Sequence, residues 1–213
     1  MTTGHLLLES TSSAPAIRGA LGRSRSFSPA LASDTLGVMT DELFERRIVR
    51  VTGRLDDDAA AKAAARLLAL DASESRPIEL YLNSPDGALE ATFVLIDTAD
   101  TLRSALRVLC LGQVGGPVIA VTAAADHRAA APHARFRLSQ PTARFAGTPQ
   151  EIAAQNRQQQ DLLWKLYGRL ARRTRRPAEE IAEDMRRGRY LDAREALEYG
   201  LIDEIIATRD GGL

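Results

Sequence analysis

The stretch LCLGQVGGPVIAVTAAA, Leu109–Ala125, decides how the chain is read. Val108–Leu111 is a short apolar run with the length of a buried strand. Gly112, Gly115 and Gly116 permit backbone angles closed to other residues. Pro117 suits the first turn of a helix, where a missing N–H costs nothing. The spacing therefore predicts a strand, a glycine-rich turn and a helix. Such a turn pushes one residue into a cleft and aims backbone N–H groups at it. Here the residues at the turn are Gly115 and Gly116, and neither has a side chain that can react. The frame of a reactive site is present without its chemistry.

Outward from this stretch, strands alternate with helices. Arg46–Gly53 alternates apolar and polar residues like a half-buried strand. Asp56, Asp57 and Asp58 then offer a cap and favourable charge to a helix whose Leu67, Leu68 and Leu70 are expected on its apolar side. Ile78–Asn83 reads as a strand, Ser84-Pro85-Asp86-Gly87 as a turn, and 88–103 as a helix with Leu89, Phe93, Leu95 and Ile96 for the core. Beyond the opening stretch, Arg135–Pro141 is a short strand. Thr148 caps a long helix to about Arg173, with Ile152, Leu162, Leu163, Leu166 and Leu170 at helical spacing and Trp164 and Tyr167 on its packing face. Two short helices, near 178–187 and 192–199, end at Gly200, and Leu201–Ala207 is a last strand. The alternation implies an α/β fold with a largely parallel sheet.

Residues 1–36 are rich in Ser, Ala and Arg and poor in acids, and read as a flexible extension or pro-segment before one domain over 37–213. The chain has 213 residues, enough for a substantial core, and its formal net charge of +0 gives no global attraction to nucleic acid or acidic lipid. The arginines from Arg169 to Arg176 and from Arg186 to Arg189 are interrupted by Glu179, Glu180, Glu183 and Asp184, and read as helix-end charges rather than a nucleic-acid surface. No apolar run approaches the ~20 residues of a membrane helix. The single cysteine, Cys110, lies in an apolar strand and reads as a buried thiol in a reducing compartment. The expected location is the cytoplasm, or the plastid stroma if residues 1–36 are a transit peptide.

Four segments carry a family resemblance: YLNSPDG (Tyr81–Gly87), CLGQVGGPV (Cys110–Val118), RLSQP (Arg137–Pro141) and RRGRYLDAREALEYGLIDEII (Arg186–Ile206). Together they resemble the ClpP family, the proteolytic subunit of the Clp protease, from about Glu42 to Ala207. The resemblance implies a spiral of ββα units, shared with crotonases, with a protruding handle region over about 139–173. It also implies a Ser–His–Asp triad, whose three positions here are Gly116, Ser139 and Gly188. All three side chains are missing, as in the inactive ClpR-type members. The family's oxyanion hole maps to the backbone N–H of Gly87 and to position 117, where proline has none. Asp86 stands in place of a glycine, and its carboxylate would oppose a developing oxyanion.

The resemblance further implies seven-membered rings stacked in pairs. It places Arg186 and Arg187 at the ring–ring interface, where two basic side chains would favour an acidic partner over a second copy. The expected partner is therefore a catalytic ClpP paralogue. An AAA+ unfoldase of ClpX or ClpC type would be reached through the partner ring, because Glu79 and Thr101 replace aromatic residues of the docking pocket while Tyr81 is kept. No cofactor or metal is implied. Two other readings stay open at this level: an active serine-type peptidase with a rebuilt site, and a crotonase-like acyl-CoA enzyme. The first has only Cys110, Thr122, His127 and His133 to draw on, the histidines lying in a loop-like Ala/Pro stretch. The second needs two oxyanion donors, one of which Pro117 removes.

Overall fold

The computed structural model describes residues 42–207; the extension expected over 1–36 lies outside the described residues. The element order is β1 (Ile48–Thr52), α1 (Asp57–Ser73), β2 (Ile78–Ser84), α2 (Leu89–Thr101), β3 (Leu106–Gly115), a 3-10 turn (Gly116–Val118), α3 (Ile119–Thr122), β4 (His127–Ala130), β5 (Arg135–Arg137), α4 (Pro149–Thr174), α5 (Ala178–Arg187), β6 (Tyr190–Leu191), α6 (Ala193–Tyr199) and β7 (Glu204–Ile205). The sheet runs β1-β2-β3-β4-β7, all parallel, with β5 beside β3 and β6 antiparallel to β5. This is the α/β fold with a parallel sheet that the alternation implies.

The glycine-rich turn expected from Gly112 onward is strand instead. β3 continues through Gly115, and its register with β2 slips between Leu82 and Ser84, which face Cys110 and Val114. Two extra residues are therefore accommodated in β3, and Gly112, at φ +58°, absorbs them. Asn83 secures this bulge by accepting from the Gln113 N–H at 3.1 Å. A Cβ on Gly112 would come within 2.8 Å of that same Asn83 oxygen. Before the bulge β3 pairs with β4; after it, with β5. The helix expected from Pro117 is only a 3-10 turn followed by the four residues of α3.

Helix α1 starts as its acids predict. Asp56 accepts from the Ala59 N–H at 2.9 Å, and Ala60, Ala63, Leu67 and Leu70 face the core. Leu68 does not join them and is 48% exposed, since each helical step turns the side chain by about 100°. At the other end of α1 there is no glycine. Arg47, itself buried, donates to the carbonyls of Leu70, Glu74, Arg76 and Pro77 and to Ser73 Oγ, satisfying carbonyls at the helix end.

Thr148 and Glu151 form a capping box at the start of α4. The first half of α4 stands exposed, Ile152 included, and only the second half packs, through Leu163, Leu166, Tyr167 and Leu170. Trp164 also departs from expectation: it is 49% exposed, meeting Tyr167 edge-on at 5.6 Å. The last strand is two residues long rather than seven, and β4 and β6, too short for a periodic signal, were not expected. The C-terminal segment is held to β4 by backbone bonds, the Asp203 N–H donating to the Arg128 carbonyl at 2.7 Å and the Ile206 N–H to the Ala130 carbonyl at 2.9 Å, and also by a side chain. Buried Arg128 of β4 donates to both Asp203 oxygens, through Nε at 3.0 Å and through Nη2, and to the Gly200 carbonyl at 2.6 Å.

Asp203→Asn is expected to destabilise the protein by about 1.5–3 kcal/mol, because it removes a charged partner from a buried guanidinium. The Arg128 guanidinium holds the Asp203 carboxyl below its ordinary value of 3.8. The carboxylate's contribution is thus complete well above that pH and is lost as pH falls through the lowered value. Urea midpoints for wild type and variant should differ at neutral pH and converge in strong acid.

Candidate functional site

The candidate site forms where the end of β3 meets the turn after β2. Ser84 Oγ and the Leu55 N–H both donate to the Asp86 carbonyl, each at 3.0 Å, and the Ala88 N–H donates to the Leu55 carbonyl at 2.8 Å. These bonds fix the turn to the segment that follows β1. A Cβ on Gly115 would meet the Pro85 carbonyl oxygen at 2.2 Å, and one on Gly87 would meet Val118 Cγ2 at 2.6 Å. Gly116 takes φ +58°, the left-handed conformation of a sharp strand-to-helix turn. Its missing side chain faces Asp86, whose Oδ1 lies 2.6 Å from where a Cβ would be. The other Asp86 oxygen is bound by Arg54 Nη1 at 2.6 Å.

The register brings the other two expected positions to the same edge. Gly115 pairs with Arg137 of β5, and Arg137 pairs with Tyr190 of β6. One step on, the Leu138 N–H donates to the Arg189 carbonyl at 2.8 Å, and the Gln140 N–H donates to the Met185 carbonyl at 3.1 Å. Ser139 therefore lies between these bonds, opposite Gly188, beyond the strand end that faces Gly116. Ser139 is buried. Gly188 closes α5 at φ +74°, with its N–H on the Asp184 carbonyl at 3.1 Å. Asp184 is engaged elsewhere, accepting from the Tyr199 hydroxyl at 2.9 Å and from Arg189. Burial and this carboxylate push the Tyr199 phenol upward.

Gly116 follows the paired Gly115, Ser139 follows Leu138 and Gly188 precedes Arg189, and none of the three carries the side chain of a nucleophile, base or orienting acid. The other candidate groups are buried, bonded or in a turn. Cys110 is fully buried, which pushes its thiol up to about 12, so it stays protonated at neutral pH. Thr122 is buried, with its hydroxyl donated to the Ile119 carbonyl at 2.7 Å. His127 lies not in a loop but at the start of β4, opposite Arg107 at the far end of β3, bonded to Glu204 at 2.9 Å. His133 is in the exposed turn before β5.

That far end holds a second cleft of about 150 Å³, where Glu79, Arg107, His127 and Glu204 surround Leu109 and Ile206. Of the three docking-pocket positions, only Glu79 lines it. Tyr81 lies outside, its phenol pushed upward by partial burial and by Glu79 beside it. Thr101 lies outside too, at the exposed end of α2, donating to the Thr98 carbonyl at 2.7 Å. Arg186 and Arg187 are both paired with Glu183, at 2.7 and 2.6 Å, and together hold its carboxyl at about 2. The doubly basic step expected there is therefore halved within the chain. Sequence reasoning missed Arg54, Arg107 and Glu204, whose partners are distant along the chain and which share no motif.

The sequence profile of the family described as Clp protease matches residues 33–209. Two curated relatives from Tropheryma whipplei are 33% identical over 177 residues, covering 81% of this chain and 86% of theirs. They are the ATP-dependent Clp protease proteolytic subunit 1 of strain Twist and the ATP-dependent Clp protease proteolytic subunit 2 of strain TW08/27.

Gly115→Ala is expected to cost about 1–3 kcal/mol or more, since its methyl group meets backbone rather than a movable side chain. Gly168→Ala in α4, where a Cβ meets nothing within 4 Å, should instead be neutral or stabilising. Thermal melting of the two variants checks the contrast.

Proposed function

The chain belongs to the Clp protease family, and from that premise we propose that it is a non-catalytic proteolytic-subunit homologue. It assembles with a catalytic paralogue in an ATP-dependent protein-degrading complex, in a structural or regulatory role. The observation that supports this reading is the residue types at the mapped positions: glycine at 116 and 188, serine at 139, and proline at 117 next to Gly116. An acyl-transfer site needs a nucleophile, a base within hydrogen-bond reach and donors for the oxyanion. Removing one such donor alone costs about 10²–10³ in rate. Proline at 117 removes a donor and no residue at 116 attacks. The same missing donor argues against thioester chemistry of the crotonase kind.

What persists is what assembly needs. The fold is retained, and the exposed half of α4 offers a surface for a neighbour. At Arg186–Arg187 two guanidiniums share one carboxylate, leaving net positive charge that favours an acidic partner face. Glu79 and Thr101 stand where the family's docking pocket has aromatic residues, so the unfoldase is engaged through the partner ring.

The purified protein should not react with a fluorophosphonate probe or hydrolyse fluorogenic peptides. Mixed with a catalytic paralogue from the same organism, it should appear in a joint high-mass complex by native mass spectrometry. A labelled serine or threonine in this chain, or a large homo-oligomer indifferent to the paralogue, would count against the reading.

A further inference from the structure

We propose that Asp86, oriented by Arg54, is an internal stopper that fills the space a side chain at position 116 would need. This deepens the function proposed above and rests on it: the site is then not merely emptied but closed. Two donors on the Asp86 carbonyl, Leu55 N–H and Ser84 Oγ, fix its backbone. Its carboxylate is turned toward β3 with Oδ2 on Arg54. The remaining oxygen, Oδ1, lies 2.6 Å from the Cβ position at Gly116, while the next nearest Asp86 atoms are at 3.7 and 3.8 Å. The conflict is therefore with the carboxylate alone, and truncating it leaves ordinary contact.

The Arg54–Asp86 pair is solvent-exposed, with side chains 57% and 35% accessible. An exposed pair of this kind adds little stability; its consequence is the aim of the carboxylate. A negative charge in that place also opposes an alkoxide or a tetrahedral oxyanion forming beside it. Asp86 and Pro117 thus block the site independently, one by occupying space and adding charge, the other by withholding a donor.

The test is a rebuilt protein carrying Gly116→Ser, Ser139→His, Gly188→Asp and Pro117→Ala, compared with and without Asp86→Ala. On labelling by a fluorophosphonate, the introduced hydroxyl passes its proton to the introduced imidazole, and its oxygen displaces fluoride from phosphorus. Labelling is expected to be about 10²-fold faster without the carboxylate, the scale of a misplaced reacting group. Equal rates, or no labelling in either protein, would overturn the stopper. Labelling of the unaltered protein would instead sink the non-catalytic reading. A second measurement needs no chemistry. Gly116→Ala should lower the melting temperature clearly in the wild-type background and less in the Asp86→Ala background, since the strain of φ +58° is common to both arms and cancels. Equal losses in the two backgrounds would overturn the proposal.

Discussion

The arrangement hangs on one bulge. β3 has to pair with β2 along one side and with two successive partners along the other. A regular ten-residue parallel strand would carry its second half onward beside β4. Gly112 prevents this by taking two extra residues into a left-handed step, and Asn83 holds that step from the neighbouring strand. The strand then meets β5, and β5 brings β6 and the end of α5 with it. The positions that β3, β5 and the end of α5 bring to the candidate site are set by this hand-over. A side chain at Gly112 would disturb the site without touching it, because a Cβ there falls 2.8 Å from Asn83.

Buried guanidinium groups do the fastening that hydrophobic contact does elsewhere. Arg47 takes a left-handed backbone, rare for a side chain of its size, and spends its donors on carbonyls at the end of α1. Arg128 ties the C-terminal segment to the sheet beside the short β7. The planar, permanently charged fork suits both tasks, since several carbonyl or carboxylate oxygens can be met at once. Arg54 is the exposed counterpart. It adds little energy, yet it determines where the Asp86 carboxylate points.

At the candidate site, the close approach of chain segments depends on glycine. Glycine at 115 allows the Pro85–Asp86 turn to approach β3 more closely than a side chain would permit, since a Cβ there would meet the Pro85 carbonyl oxygen at 2.2 Å. At 116 the nearest atom is an Asp86 carboxylate oxygen, the end of a side chain. The scaffold around them keeps its parallel sheet and projecting helix.

Much of this was legible in the chain alone. Apolar periodicity and capping acids located α1, α2 and α4, and strong local signals such as Asp56, Thr148 and Gly200 did what their chemistry dictates. The resemblance maps the triad positions to Gly116, Ser139 and Gly188, and the residue types there carry the expectation of a non-catalytic site. Hidden from the sequence were the features made by contact between distant residues. Leu68 and Trp164 are exposed although their neighbours are buried, because the tertiary packing covers only part of each helix. β4 and β6 are too short to show a period, and exist because β3 and β5 offer them free edges. The pairing of Arg54 with Asp86, 32 residues apart, and the approach of that carboxylate to Gly116 could be decided only by the folded chain. The backbone bonds with Leu55, together with the Ser84 hydroxyl, hold the turn there.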